Sequence, residues 1–324
     1  MKKSNISFII IGKNVGATIT KCIQSIIHTT TVNYISDYEI IYVDSRSTDD
    51  SIEQVRKFKN CAIFIINGDT NAAIARNIGA IEAKKEVLFF IDGDMEIIPE
   101  TLQLLYSPEK GLIHDFVSGD FEDHFYNNSG NFEGFEKRHN LDKDVFQNTT
   151  GGLFLITKRL WLQIGGMRNK FRIGEDFDLG LRLSEKGYKL LRIKEVLAKH
   201  HTVSYHRNDR LWADVMKGDF LYYKALLYRT HIYNKLIYKY LAREVTMFFF
   251  IITLFLSIYL KNPVFLGVYL LLVLVKLLYK RKKIKGNFWS LYVRYIIYDV
   301  GSFLGFFLFW PKSNFKLEYV ELKK

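Results

Sequence analysis

The chain has 324 residues, 48% hydrophobic and 25% charged, with 4 prolines and a formal net charge of +12. This composition excludes disordered, collagenous and mucin-like chains, and the length predicts about two domains. Two cysteines, Cys22 and Cys61, are too few for a disulfide framework or a four-ligand zinc site, so a reducing compartment is expected.

From the N-terminus, residues 6–11 are β-branched, stop at Gly12 and precede Ile19, Cys22, Ile23, Ile26 and Ile27 at helical spacing. That pattern predicts a short buried strand followed by a helix, and the apolar run is too brief for a secretory signal peptide. The rhythm then repeats: 38–43 is strand-like, 49–58 helix-like, 61–66 strand-like, 71–83 helix-like and 87–91 strand-like. Strands alternating with helices at this spacing predict an α/β fold with a mostly parallel sheet, where ligands sit at the carboxyl ends of the strands. Further along, 189–198 reads as another strand.

Composition changes after Glu244. Residues 245–260 carry no charge, Lys261-Asn262-Pro263 makes a turn, and 264–275 is again apolar, followed by Lys276 and then Leu277-Leu278-Tyr279 before the basic run 280–285. This predicts a helical hairpin over 245–279, with each arm short against a hydrocarbon core of about 30 Å. A third apolar stretch, 288–310, is interrupted by Arg294 and Asp299; it is expected to span, re-enter or lie in the interface, and the two charges are not expected to pair. Residues 210–228 mix aromatic, apolar and basic side chains, as an amphipathic surface helix or a packing helix would. The expected division is therefore 1–209 catalytic, 210–244 linking helices and 245–324 a hydrophobic helical membrane region.

The basic excess lies in that last region. Residues 241–324 hold 13 Lys and Arg against 4 Asp and Glu, which leaves the first 240 residues nearly neutral. Basic residues beside apolar segments fit a surface of anionic lipid and place the N-terminal part on the cytoplasmic face. No nucleic-acid partner is expected, because no nucleic-acid-binding motif is present.

Several polar groups stand out against this frame. Asp92-Gly93-Asp94 follows an apolar strand; the sequence suits a plain turn, but paired carboxylates there also suit Mg²⁺ or Mn²⁺ with substrate phosphates completing the coordination. Asp44 ends another strand, before Thr48 and Asp49, which suit a helix cap. Arg76 and Asn77 interrupt a helix of small apolar residues. Glu175, Asp176 and Asp178 crowd one helical turn, where like charges raise a pKa enough to make a general base. His200, His201 and His206 follow the strand at 189–198, each a candidate metal ligand.

Taken in order and spacing, residues 6–14, 43–49, 73–79 and 92–94, then Gly151-Gly152, Gly165-Gly166, 175–178 and Gly187-Tyr188, resemble inverting glycosyltransferase family 2. The likeness covers residues 5–205 and implies a GT-A fold and a nucleotide-sugar donor linked to UDP or GDP. By the resemblance, Asp44 contacts the base or ribose, Asp92 lies on the ribose-phosphate side, and Asn14 and Arg76 are further nucleotide contacts. Gly151 and Gly152 form the bend where backbone nears the donor sugar. Asp94 holds a divalent cation, Mn²⁺ or Mg²⁺, with His200 or His201 as a further ligand. Asp176 is the general base for the acceptor hydroxyl and Glu175 orients it.

Two departures qualify the likeness. Met167 and Arg168 stand where the family has an aromatic-acid pair, and the Gln-x-x-Arg-Trp motif of processive synthases is missing, which favours transfer of one sugar. The expected acceptor is a hydroxyl of a lipid-linked or cell-surface glycan precursor, with membrane lipid as a neighbour. Two other functions share these features: transfer to a polyprenyl phosphate, which needs no base, and a non-catalytic membrane scaffold or glycan-binding protein.

Overall fold

The computed structural model describes residues 5–127, 129–203, 208–281, 287–313 and 315–323. His206 and Lys282, Lys283 and Lys285 of the basic run lie outside the described residues. The chain forms two compact units, Met1–Val203 with Ser313–Lys324, and Ser204–Lys312.

The first unit opens with β1 (Ile6–Gly12), α1 (Gly16–Val32), β2 (Tyr38–Asp44), α2 (Ser51–Arg56), β3 (Cys61–Ile66), α3 (Ala72–Glu82) and β4 (Val87–Asp92). Then come β5 (Met95–Ile97), α4 (Pro99–Leu102), the small hairpin β6 (Tyr106–Ser107) and β7 (Gly111–Leu112), β8 (Phe116–Tyr126) and β9 (Phe132–Lys137). It continues through β10 (Val145–Gln147), β11 (Phe154–Thr157), α5 (Lys158–Ile164), α6 (Glu175–Glu185) and β12 (Leu190–Thr202). The large sheet runs β10-β12-β8-β11-β4-β1-β2-β3, with β1 parallel to β2 and β4, and β2 parallel to β3. β11 enters antiparallel between β4 and β8, and β12 returns parallel beside β8.

Strand alternation produces a core on each face of the sheet. Phe8 and Ile10 of β1 join Ile19, Cys22 and Ile26 of α1 on one side. Ile9 and Ile11 join Ile74 and Ile78 of α3 and Leu179 of α6 on the other. All of these side chains are buried, and at about 1.5–3 kcal/mol each they supply the main drive to fold the unit.

Three expectations change. The strand expected at 189–198 runs to Thr202, so His200 and His201 lie within β12 and do not follow it. The helix after Asp44 starts at Ser51, and the Asp49 side chain serves two helix starts, accepting the Ser51 N–H at 3.1 Å and the N–H of Gly16, the first residue of α1, at 2.9 Å. Finally, the C-terminal residues do not all belong with the hydrophobic helices. A strand at Tyr319–Glu321 pairs antiparallel with β3 and extends the sheet, because Phe315, Leu317 and Tyr319 pack on its core.

The second unit is helical: α7 (Asn208–Lys217), α8 (Asp219–Thr230), a 3₁₀ turn (Lys235–Ile237), α9 (Tyr238–Leu241), α10 (Val245–Tyr259), α11 (Val264–Lys280) and α12 (Phe288–Leu308). The amphipathic segment at 210–228 is two helices, broken at Gly218 by a φ of 70°. Across 245–280, α10 and α11 have 15 and 17 residues. Among the described residues, the 21-residue α12 is the helix long and apolar enough by itself to cross a membrane; Lys235–Leu241 and α10 pass the same test only as a pair bent by 79°.

Around a small apolar core of Phe250, Tyr269, Val273 and Leu277, this unit also exposes large apolar side chains and buries polar ones. Phe255, Ile258, Leu271, Phe307 and Leu308 are exposed, while Thr246, Thr253, Arg294, Asp299 and Ser302 are buried. Asp299 accepts hydroxyls from Thr246 at 3.3 Å and Tyr269 at 2.9 Å. Gly301 and Gly305 let α12 close on α8: a Cβ at these positions falls 3.0 Å from Leu221 Cβ and 3.2 Å from Tyr222 Cα.

Candidate active site

The site is built where β1, β2 and β4 end and where α3, α6 and β12 present polar side chains. Asp44, fully buried at the end of β2, accepts the Ser47 N–H at 2.8 Å and the Tyr42 hydroxyl at 2.9 Å. Asn14, with φ of 56°, accepts the Thr48 N–H at 2.8 Å, and its own N–H donates to Ser47 Oγ at 2.8 Å. These contacts lock residues 45–49 against the turn after β1 and fix the shape of the surface above Asp44.

Arg76 is the centre of the next group. It lies on α3, capped by the Asn71 side chain on the Ile74 N–H, and is 2% exposed rather than on the surface. Its guanidinium donates to Asp92 Oδ1 at 2.8 Å and Glu175 Oε1 at 3.0 Å, joining β4 to α6. Burial, reinforced by the neighbouring Asp176 charge and opposed by Arg76, pushes the Glu175 carboxyl up to about 7. Asp92 is also raised, by burial first, with Arg76 opposing and Asp94 adding to the rise.

The acid crowd of α6 is divided by geometry. Asp178 turns away and is neutralised by Arg168 at 3.0 Å and Arg182 at 2.8 Å, leaving Glu175 and Asp176 toward the site. Asp176 Oδ2 accepts the Gly151 N–H at 3.2 Å. Gly151 has φ of 78°, and a Cβ on Gly152 falls 2.2 Å from Asp92 Oδ2, so this bend presses backbone against the carboxylate.

Asp94 and His200 come together, with Asp94 Oδ2 3.3 Å from His200 Nε2 and Asp123 Oδ1 holding Nδ1 at 2.7 Å. The strand period sends the adjacent His201 to the other face, where it meets Tyr126 at 3.0 Å and Glu96 at 3.2 Å. Only the His201 backbone N–H reaches Asp94, donating to its carbonyl at 2.8 Å. Asp94 Oδ1 is buried with no hydrogen-bond partner. A lone acceptor beside an imidazole fits a divalent cation. Among the described residues no three His, Cys, Asp or Glu side chains form a ready cage. Hard cations that finish their shell on substrate phosphates need none.

Two supporting residues carry no role in the sequence reading: Arg192 is unmarked, and Asn77 stands out only as a polar interruption of α3. Arg192 of β12, fully buried, donates to Gln147 Oε1 at 2.8 Å and to the Thr150 carbonyl at 2.5 Å, so it sets the approach to Gly151. Asn77 binds the Met167 carbonyl at 2.7 Å and the Met167 N–H at 3.0 Å, pinning the loop that departs from the family pattern. A buried arginine in a strand reads from sequence as an ordinary surface cation.

Residues 7–164 match the family model described as glycosyl transferase family 2, and residues 139–207 match that for the N-terminal domain of galactosyltransferase. The α/β unit belongs to glycosyl transferase family 2. An uncharacterized glycosyltransferase of Haemophilus influenzae is 26% identical over 189 residues, covering 54% of this chain and 62% of the relative. Poly(ribitol-phosphate) beta-N-acetylglucosaminyltransferase TarP of Staphylococcus aureus is 28% identical over 153 residues, 46% of each chain. The crystal structure of S. aureus TarS 1–349 in complex with UDP superposes with a TM-score of 0.52 at 17% identity, covering 69% of this chain and 64% of TarS 1–349. The fold of this family 2 member is therefore GT-A, and the chain spans less than two thirds of the length of these relatives.

Proposed function

We propose that this chain is an inverting glycosyltransferase that moves one sugar from a nucleoside-diphosphate donor to a hydroxyl of a lipid-linked or cell-envelope glycan. The observation that carries the reading is the buried Arg76 bridge between Asp92 and Glu175, which sets a donor-side carboxylate and the acid pair of α6 in one arrangement. Asp44 and Asn14 bind the base and ribose, and the Gly151-Gly152 bend brings backbone to the sugar. Asp176 takes the proton of the acceptor hydroxyl as its oxygen attacks the anomeric carbon, while the bond to the diphosphate breaks on the opposite side. Glu175, held by Arg76, orients the acceptor. Asp94 and His200 would hold Mn²⁺ or Mg²⁺, which supplies positive charge to the departing diphosphate.

The exposed apolar surface of the helical unit supports a membrane setting. Phe255, Ile258, Leu271, Phe307 and Leu308 face outward while Thr246, Arg294, Asp299 and Ser302 are buried, an arrangement an apolar solvent favours. The glycine pair of α12 matches the small-residue spacing that lets membrane helices approach closely. The helical unit thus anchors the enzyme to the bilayer, with its α/β unit on the cytoplasmic side, beside lipid-borne acceptors.

The test is Asp176→Asn assayed against a panel of UDP- and GDP-sugars. Retained nucleotide binding with turnover lowered at least 100-fold is expected. Full turnover in the folded variant would point to a phosphate acceptor that needs no base, and absence of nucleotide binding in the wild type would leave a scaffold.

A further inference from the structure

Within the helical unit, a half-open cavity of about 860 Å³ is lined by α8, α10, α11 and α12. Lys224, Arg243, Lys276 and Lys280 line it, against the carboxylates of Glu244 and Asp299. Both acids are engaged: Glu244 holds Lys224 Nζ at 2.7 Å and accepts the Tyr228 hydroxyl at 2.8 Å, and Asp299 accepts Tyr269 and Thr246. Lys276 sits deeper, 3.4 Å from Thr246 Oγ1 and 4.9 Å from the Tyr295 ring centroid. Arg243 and Lys280 are exposed at the rim. The cavity therefore carries an excess of two positive charges at its polar end.

Its other walls are of a different kind. Phe249, Leu272, Val275 and Tyr279 present apolar and aromatic surface, and the volume falls in the range that holds a whole small molecule rather than a single ion. The cavity lies where α10 begins and α11 ends, so the hairpin's two chain ends meet there. For a hairpin inserted in a bilayer, that end is the level of lipid head groups, where basic and aromatic residues concentrate. An anion with a hydrocarbon tail satisfies both walls, whereas a free anion leaves the apolar wall unused.

We propose that this cavity binds a phosphate-headed lipid, with the head on Arg243, Lys276 and Lys280 and the tails along Phe249, Leu272 and Val275. The proposal rests on the reading that the helical unit lies in a bilayer. It is measured by lipid binding alone, so its failure is separate from any loss of glycosyl transfer in Asp176→Asn.

The full chain, purified in neutral detergent, is titrated with dioctanoyl phosphatidate, dioctanoylglycerol and inorganic phosphate, with binding followed by thermal stabilisation. Saturable stabilisation by phosphatidate is expected, with at least tenfold weaker effects of the other two. The double variant R243Q/K280Q, changed only at exposed positions, is expected to weaken phosphatidate at least tenfold. Val275→Trp, which adds bulk to the apolar wall and keeps every charge, is expected to do the same. Equal stabilisation by dioctanoylglycerol or by inorganic phosphate, no stabilisation of the wild type, or unchanged affinity in both folded variants would each overturn the proposal.

Discussion

Gly152 and Asp92 meet so closely that a Cβ on the glycine falls 2.2 Å from Asp92 Oδ2. Asp92 is held from its other side by Arg76 at 2.8 Å, so it has no easy retreat. Gly152→Ala is therefore expected to displace the carboxylate while leaving the sheet folded. Displacement of a positioning group by about 1 Å costs about 10²-fold in rate. Steady-state kinetics with the identified donor check this, and turnover within a factor of two of wild type would contradict it.

Arg76→Met tests the bridge energetically. The guanidinium is buried, and its removal leaves Asp92 and Glu175 facing each other without a cation. Breaking a buried pair by removing one partner costs about 3–5 kcal/mol. Urea denaturation at pH 7.5 is expected to show a loss of that order, shrinking at acidic pH as the carboxyls protonate. A loss below about 1 kcal/mol would mean that the bridge behaves as a surface pair.

How far the sequence disclosed this arrangement depended on the range of the interaction. Period-two burial and helix spacing located β1 to β4 and α1 to α3 to within a few residues, because those signals are local. The turn acids Asp92 and Asp94, and the pair Glu175 and Asp176, stood out by type and position. What stayed hidden is pairing across 99 residues between Arg76 and Glu175, and across 42 between Arg192 and Thr150. The return of Tyr319–Glu321 to β3 was hidden for the same reason: three residues after a long apolar region carry too short a pattern to announce a strand.

Glu175 predicts a pH dependence. Its carboxyl rises from an ordinary 4.5 to about 7 in the folded protein, by burial first and the Asp176 charge second. The folded state then binds more protons than the unfolded one between those values, so Glu175's contribution to stability is complete below 4.5 and is lost as pH rises through 7. The Tm of wild type relative to Glu175→Gln is expected to fall from pH 5 to 7 and level above. A difference that is flat, or that grows with pH, would show that Arg76 holds the carboxylate charged throughout.

The C-terminal strand makes a separate prediction. Tyr319 pairs with Ile66, and its hydroxyl donates to Glu82 of α3 at 2.5 Å. Ending the chain at Lys312 strips this cover and bares the edge of β3. The partly buried Phe315, Leu317 and Tyr319 together are worth about 2–4 kcal/mol. Hydrogen exchange is expected to speed up at the β3 amides of residues 64–66, and unchanged protection there would show that the strand adds no stability.

Asp94 and His200 give the sharpest contrast at the proposed cation site, because His201 offers the same chemistry one residue away on the opposite face. Asp123 fixes His200 through Nδ1 and leaves Nε2 toward Asp94, the orientation a second carboxylate commonly gives a ligating imidazole. His201 spends its ring on Tyr126 and Glu96. Mn²⁺-dependent stabilisation by nucleoside diphosphates is expected to vanish in Asp94→Asn and to weaken about 10- to 100-fold in affinity in His200→Ala. His201→Ala is expected to keep it within about threefold, since its side chain reaches neither Asp94 oxygen. Equal losses in the two histidine variants would place the cation elsewhere, and full metal dependence in Asp94→Asn would remove it from this turn.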